Sequence, residues 1–282
     1  MVLSLTMNNA GKYIIFNTHI LPATEFDDQL LSGLAVYEII RVIDGIPLFF
    51  EDHLSRLFTS VKIARKKLQI SKEEIESKIM QLIRVNEKEV GNIEIIFSFK
   101  PKIDIPVFMA RFVPHFYPDM EMYQNGVKTS FLTYIREKPN AKTKNLGLRE
   151  MADSIIKKEK VYEVILIDKN NCVLEGSRSN VFFIRQNSLF TAPVNHVLAG
   201  ITRKKIFEIC HHLNIEIIES QILVDNLKQF QSMFISGTSP SVLPVKKAGS
   251  YIFDVNNRLL RRLMFAYAAF QTDYIEMKKR QL

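Results

Sequence analysis

Apolar residues recur at Leu54, Leu57, Phe58, Val61, Ala64 and Leu68, the i, i+3, i+4 spacing of an amphipathic helix. Ser71 and Glu74 then form a capping-box signature ahead of Ile75, Ile79, Leu82 and Ile83, which predicts a second helix. Apolar runs at residues 12–20, 34–43, 93–99 and 106–113 read as strands, and Asp44-Gly45 as a hairpin turn into a short run at 46–50. The first part of the chain is therefore expected to be α+β, with strands near its ends and two helices between. Residues 117–126 read as a link punctuated by Pro118 and Gly126.

Beyond it, 127–134 reads as a strand, 142–145 is polar, 146–160 reads as a helix and 162–168 as a strand before a turn at 169–171. Further strands are expected at 180–184, 189–191, 215–218 and 233–236, with a short helix near 223–228. Ile206, Phe207, Ile209, Cys210 and Leu213 fall at helical spacing over 203–213. Leu259, Leu260, Leu263, Tyr267, Phe270 and Tyr274 form one stripe of a long last helix, most simply core or dimer packing. No internal repeat or low-complexity segment interrupts the pattern.

Composition narrows the class. The 282 residues are 47% hydrophobic and 24% charged, an ordinary soluble balance with enough chain for real cores. The net charge of +8 favours anionic ligands. The basic residues are scattered and lack the aromatic interleaving of single-strand binders, so nucleic acid is not expected as a partner. Cys172 and Cys210 lack the spacing of a metal site or disulfide framework, and adjacent His211 and His212 cannot share one metal, so no metal is expected. The first residues carry no basic segment followed by an apolar one, and no apolar run nears a membrane span; a cytoplasmic protein with no membrane contact is expected.

The candidate chemistry is concentrated in residues 173–210. Val173-Leu174 run into Glu175, a hairpin follows, and Gly200-Ile201-Thr202 open a helix whose free N–H groups and dipole suit an anion. Glu-Gly-Ser-x-Ser-Asn-Val-Phe from Glu175, then Thr-x-Pro from Thr191, then Leu-x-Gly-Ile-Thr-Arg from Leu198, resembles the class IV aminotransferases. These pyridoxal-phosphate (PLP) enzymes include branched-chain aminotransferase, D-amino acid transaminase and aminodeoxychorismate lyase. The resemblance spans about residues 34–245 and implies fold-type IV: two α/β domains with the cofactor between them, in a homodimer. The expected division is an N-terminal α/β domain over 1–118, a linker at 119–126 and a C-terminal PLP-binding domain over 127–282.

Carried over position by position, the resemblance implies Lys142, in Lys142-Thr143-Lys144-Asn145, as the Schiff-base lysine and proton shuttle, with Lys144 as its rival. Glu175 is implied as the partner of the pyridine nitrogen. Arg56, in His53-Leu54-Ser55-Arg56-Leu57, together with Ile201, Thr202, Gly237 and Thr238, is implied as the phosphate cup. Pro240 suits the first turn of a helix after that last loop. Tyr37, in Val36-Tyr37-Glu38, is implied in the substrate pocket, and Ser239 beside the substrate carboxylate.

Relatives usually carry Gly-Asp-Gly where this chain has Gly33-Leu34-Ala35. They also place an arginine or tyrosine where it has Phe99-Lys100-Pro101-Lys102, so Lys100 is the candidate for the substrate carboxylate, as a point charge without the arginine fork. The activity implied is transfer of an amino group between an amino acid and a 2-oxo acid. An elimination releasing pyruvate from aminodeoxychorismate uses the same core residues, and a non-catalytic PLP-binding relative is the third reading.

Overall fold

The computed structural model describes residues 10–27, 31–101 and 105–281. By its contacts the chain divides into two compact units. The first collects the residues up to Phe116, Ala141–Lys144 and those from Thr272 on; the second holds Tyr117–Asn140 and Asn145–Gln271.

The first unit contains β1 (Tyr13–Phe16), β2 (His19–Pro22), β3 (Leu34–Ile43), β4 (Ile46–Pro47), α1 (Phe50–Ile63), α2 (Lys72–Asn86), β5 (Gly91–Phe99) and β6 (Val107–Val113). Its strands pair antiparallel in the order β2-β1-β6-β5-β3-β4. Period-two alternation gives each long strand two faces. Val36, Ile40 and Val42 of β3 and Ile93, Ile95, Phe97 and Phe99 of β5 join a core with Leu54, Leu57 and Val61 of α1 and Ile75, Ile79 and Leu82 of α2. Ala35, Ile96 and Met109 make a smaller cluster against which Tyr37 packs.

Three expected boundaries move. The strand expected over 12–20 is a hairpin, because Asn17 takes the left-handed conformation (φ 52°) that asparagine tolerates. The run at 46–50 stops at Pro47, and Phe49, also left-handed, caps α1. That helix ends at Ile63, ahead of left-handed Arg65, while Leu68 still packs on the core from the following loop. The capping box is present: Ser71 Oγ accepts the Glu74 N–H at 3.1 Å, and Glu74 Oε2 accepts the Ser71 N–H at 2.7 Å. Ser71→Ala is expected to lower stability by about 1 kcal/mol, read from the urea unfolding midpoint; an unchanged midpoint would show that the helix end is held by packing alone.

The second unit contains α3 (Met120–Asn125), β7 (Val127–Thr133), α4 (Leu146–Glu159), β8 (Glu163–Ile167), β9 (Cys172–Gly176), β10 (Asn180–Arg185), β11 (Ser188–Thr191), α5 (Ile201–His212), β12 (Ile217–Glu219), β13 (Ile222–Leu223), β14 (Ser232–Gly237), β15 (Ser241–Ala248), β16 (Tyr251–Ile252) and the start of α6 (Arg258–Lys279). One mixed sheet runs β12-β11-β10-β14-β15-β7-β8-β9-β13, with β16 on β15. Of the three parallel pairs among the described residues, β7/β8 and β11/β12 are joined through α4 and α5, the helical crossovers that parallel neighbours require, and β15 lies parallel to β7. Phe183, Phe230 and Phe253 meet in its core, and Phe182 stacks on Phe234 at 4.9 Å.

The segment read as a linker holds α3, capped by Asp119 and closed by Gly126 at φ 66°. The strand β15 escapes the sequence pattern because Pro244 sits inside it; Pro244 lies beside a register shift on the β7 side, where its missing N–H is accommodated. Pro240 starts no helix: residues 238–240 are the turn between β14 and β15, and Ser241 follows at φ 53°.

Candidate active site

In the first unit, chemistry gathers on the edge of β3 that β4 leaves uncovered. Residues 141–144 lie along that edge: the Tyr37 N–H donates to the Lys142 carbonyl at 3.1 Å, the Lys144 N–H to the Ala35 carbonyl at 3.0 Å, and Val36 bridges Thr143 antiparallel. The Lys142 N–H also donates to Ser60 Oγ of α1 at 3.1 Å. These bonds explain why the expected C-terminal position of Lys142 gives way to membership of the first unit. Gly33 sets the start of β3: its φ is 104°, and a β-carbon there would lie 2.5 Å from the Phe99 carbonyl oxygen.

The strand period sends Lys142 and Lys144 to one side, and both ammonium groups lie over the Tyr37 ring, at 4.8 and 5.8 Å from its centre. Their charges are balanced differently. Lys144 Nζ pairs with Glu94 Oε1 at 2.8 Å, and Glu94 also binds Arg111. Lys142 Nζ makes no ion pair among the described residues.

On the other face of β3, Glu38 is fully buried. Arg56 grips its carboxylate twice, Nε to Oε1 at 2.7 Å and Nη2 to Oε2 at 2.6 Å, and His53 Nδ1 donates to Oε2 at 2.8 Å. Burial alone would raise the Glu38 carboxyl, but the Arg56 and His53 partners overcome it and bring it down from 4.5 to about 2. Burial pushes the His53 imidazole below its ordinary 6.5, against the pull of Glu38. Lys100 follows the end of β5 and is half-buried; Lys102 lies outside the described residues.

In the second unit, Glu175 sits buried at the end of β9. Its Oε2 accepts the Leu198 N–H at 3.0 Å, and its Oε1 lies 2.9 Å from Arg136 Nε, an ion pair whose N–H is not aligned as a hydrogen bond. Arg136 also donates from Nη2 to the Ser177 carbonyl at 2.9 Å. The turn from Glu175 to Asn180 closes around Glu163, whose buried carboxylate accepts Ser177 Oγ at 2.7 Å, Ser179 Oγ at 3.0 Å and the Arg178 N–H at 3.2 Å. Gly176 is needed there for space: a β-carbon would fall 2.1 Å from Ser179 Oγ.

Gly200 precedes α5 with no side-chain cap, so Ile201 and Thr202 open the helix uncapped by a side chain. Thr202 is buried, its Oγ1 3.5 Å from the Tyr267 hydroxyl. Gly237 ends β14, Thr238 and Ser239 form the turn, and neighbouring Ser236 Oγ is buried without a hydrogen-bond partner among the described residues. The thiols offer no competing nucleophile: burial pushes Cys210 up to about 12 and raises Cys172.

The structure thus brings Tyr37, Lys142 and Lys144 together in one unit and Glu175, Leu198 and the α5 start together in the other. Glu163 and the pairing role of Arg136 were missed by sequence reasoning. Glu163 belongs to a strand whose other residues are apolar, and a carboxylate in such a run was the signal available.

The family profile described as amino-transferase class IV matches residues 35–248. The chain belongs to that family. It is 28% identical over 247 residues to a D-alanine aminotransferase of Bacillus licheniformis, covering 82% of this chain and 87% of that one. It is 25% identical over 248 residues to a branched-chain-amino-acid aminotransferase of Pseudomonas aeruginosa, covering 82% and 79%. The solved structure of the Escherichia coli branched-chain amino acid aminotransferase superposes with a TM-score of 0.83 at 23% identity, covering 93% of this chain and 95% of that one, so the two share the fold-type IV architecture.

Proposed function

We propose that the chain is a PLP-dependent aminotransferase that moves the amino group of an amino acid to a 2-oxo acid, with Lys142 as the lysine that bonds the cofactor. The observation that carries this reading is the contrast between the two lysines beside Tyr37. Lys144 is neutralised by Glu94, whereas Lys142 has no counter-ion among the described residues and its ammonium meets only the face of Tyr37. A lysine must shed its proton to act as a nucleophile, and a carboxylate partner opposes that loss.

The remaining donor set fits PLP. The uncapped first turn of α5, the Thr202 hydroxyl and the Gly237-Thr238 turn suit a phosphate, and the unpartnered Ser236 hydroxyl lies next to that turn. A phosphate contact from Arg56 would come from a guanidinium whose orientation Glu38 fixes. Glu175, opposed by Arg136, would hold the pyridine nitrogen protonated. When bound, PLP supplies an electrophilic carbon for the substrate amine and a ring that accepts electron density from the Cα–H bond. Once the substrate amine has displaced it from the cofactor, Lys142 Nζ would be free to take the Cα proton and return it to the cofactor side. Tyr37, Lys100 and Ser239 would meet the substrate, the last two near its carboxylate. The substrates are small carboxylates, which the net charge of +8 attracts, and the working form is a homodimer, as the family resemblance implies. Among the described residues no helix is long and apolar enough to cross a membrane.

The test is the visible spectrum of the protein with PLP before and after single amino acids. A yellow band converted to the pyridoxamine band by some amino acid is the expected result. Pyruvate released from aminodeoxychorismate without any acceptor would overturn it in favour of elimination.

A further inference from the structure

We infer that Asn180 is a positioning residue that ties the Glu175 carboxylate to the first turn of α5 through the backbone of Leu198. Both backbone polar groups of Leu198 are engaged. Its N–H donates to Glu175 Oε2 at 3.0 Å, and its carbonyl accepts Asn180 Nδ2 at 2.9 Å. Asn180 is buried at the start of β10, five residues after Glu175, and the intervening turn is pinned by Glu163 through Ser177 and Ser179. The two residues that grip Leu198 therefore cannot move independently.

The same carboxamide fits against the helix entrance. A β-carbon on Gly200 would lie 2.0 Å from Asn180 Oδ1 and 3.2 Å from its Cγ. The Gly200 φ of −65° is open to any residue, so glycine is required there by Asn180 rather than by backbone conformation. Gly200 is the cap of α5, and Ile201 and Thr202 follow it. Asn180 thus sets where α5 begins relative to Glu175.

On the reading proposed above, Glu175 serves the ring nitrogen and the α5 start serves the phosphate. Asn180, which needs to touch neither, would then fix the spacing between the two ends of the cofactor.

The experiment has two arms. In the ligand-free full chain, amide hydrogen exchange at Leu198 is compared in wild type, Asn180→Ala, Glu175→Gln and Gly200→Ala, with amides of α6 as the folding control. Exchange at Leu198 and in the first turn of α5 is expected to rise about tenfold or more in Asn180→Ala, the effect of one lost buried hydrogen bond. Gly200→Ala should do the same alone but add nothing in the Asn180→Ala background, where its β-carbon has room. Wild-type exchange at Leu198 in Asn180→Ala, or additive effects in the double variant, would overturn the tie.

In the second arm, PLP binding is followed by fluorescence. Asn180→Ala should weaken PLP about tenfold while weakening pyridoxal, which lacks the phosphate, by clearly less. Equal losses for both ligands would reduce Asn180 to general support of the fold. Failure of the wild-type chain to bind PLP would sink the cofactor reading and leave the exchange arm to decide the tie.

Discussion

Lys142→Ala is expected to yield a folded protein that no longer bonds PLP covalently. Borohydride reduction of the wild-type protein with PLP should place a pyridoxyl group on the peptide containing Lys142, and the variant should carry none. Transamination should fall by about a thousandfold or more, since the residue that moves the proton is gone. The fold should survive, because the local bonds that hold Lys142 are made by its backbone N–H and carbonyl, which alanine retains. Lys144→Ala is the control. Its pair with Glu94 is part-exposed, so its loss should cost no more than about 1 kcal/mol and leave the label in place. A pyridoxyl group found on Lys144 in the wild-type protein would reverse the assignment of the two lysines.

The second large effect is expected at Glu38. Removing its carboxylate takes away two hydrogen bonds of the Arg56 guanidinium and the acceptor of His53 Nδ1, and Glu38→Ala should destabilise the first unit by about 3–5 kcal/mol, the cost of breaking a buried pair. The pH dependence has a definite sign. The folded Glu38 carboxyl is held near about 2 against an ordinary 4.5, so its contribution is complete above 4.5 and lost as pH falls toward 2. A displacement of that size corresponds to about 3 kcal/mol. His53 acts in the same direction: its folded value lies below 6.5, so its share is complete above 6.5 and lost as pH falls below it. Urea midpoints measured across acid pH should drop for the wild-type chain and flatten below pH 4.5 for Glu38→Gln. Parallel curves for the two proteins would show that the carboxylate is not the acid-sensitive group.

The parts of this molecule that were legible in its sequence are those where one local rule acts alone. Leu34–Ile43 and the Ser71 capping box follow from strand alternation and from cap chemistry that needs no distant partner. Where the reading failed, a distant contact or a special backbone conformation overrode the local pattern. Leu68 keeps the helical period yet lies beyond the end of α1, because it reaches the same core from a loop. The strand β15 was hidden by Pro244, which is tolerated beside a register shift that only the paired sheet reveals. The same holds for the site. Glu175 and the α5 start were visible as a carboxylate and a glycine-led helix, but their connection through Leu198 and Asn180 is a matter of tertiary geometry. Arg56 was read as a phosphate ligand; its double grip on Glu38 lay beyond sequence reasoning because strand β3 and helix α1 meet only in the fold.

The discontinuous make-up of the first unit bears on how the protein is made. A ribosome releases the residues up to Phe116 first, yet that unit also needs Ala141–Lys144 and the residues from Thr272 on. Tyr274, near the chain's end, hydrogen-bonds the start of α1, and Lys279 pairs with Asp44. The second unit, uninterrupted except for four residues, can be assembled while translation proceeds. The first is completed only after Thr272 and the residues beyond it have been made, so a nascent chain stalled before Thr272 would hold the strands of that unit without the helical segment that packs on the start of α1.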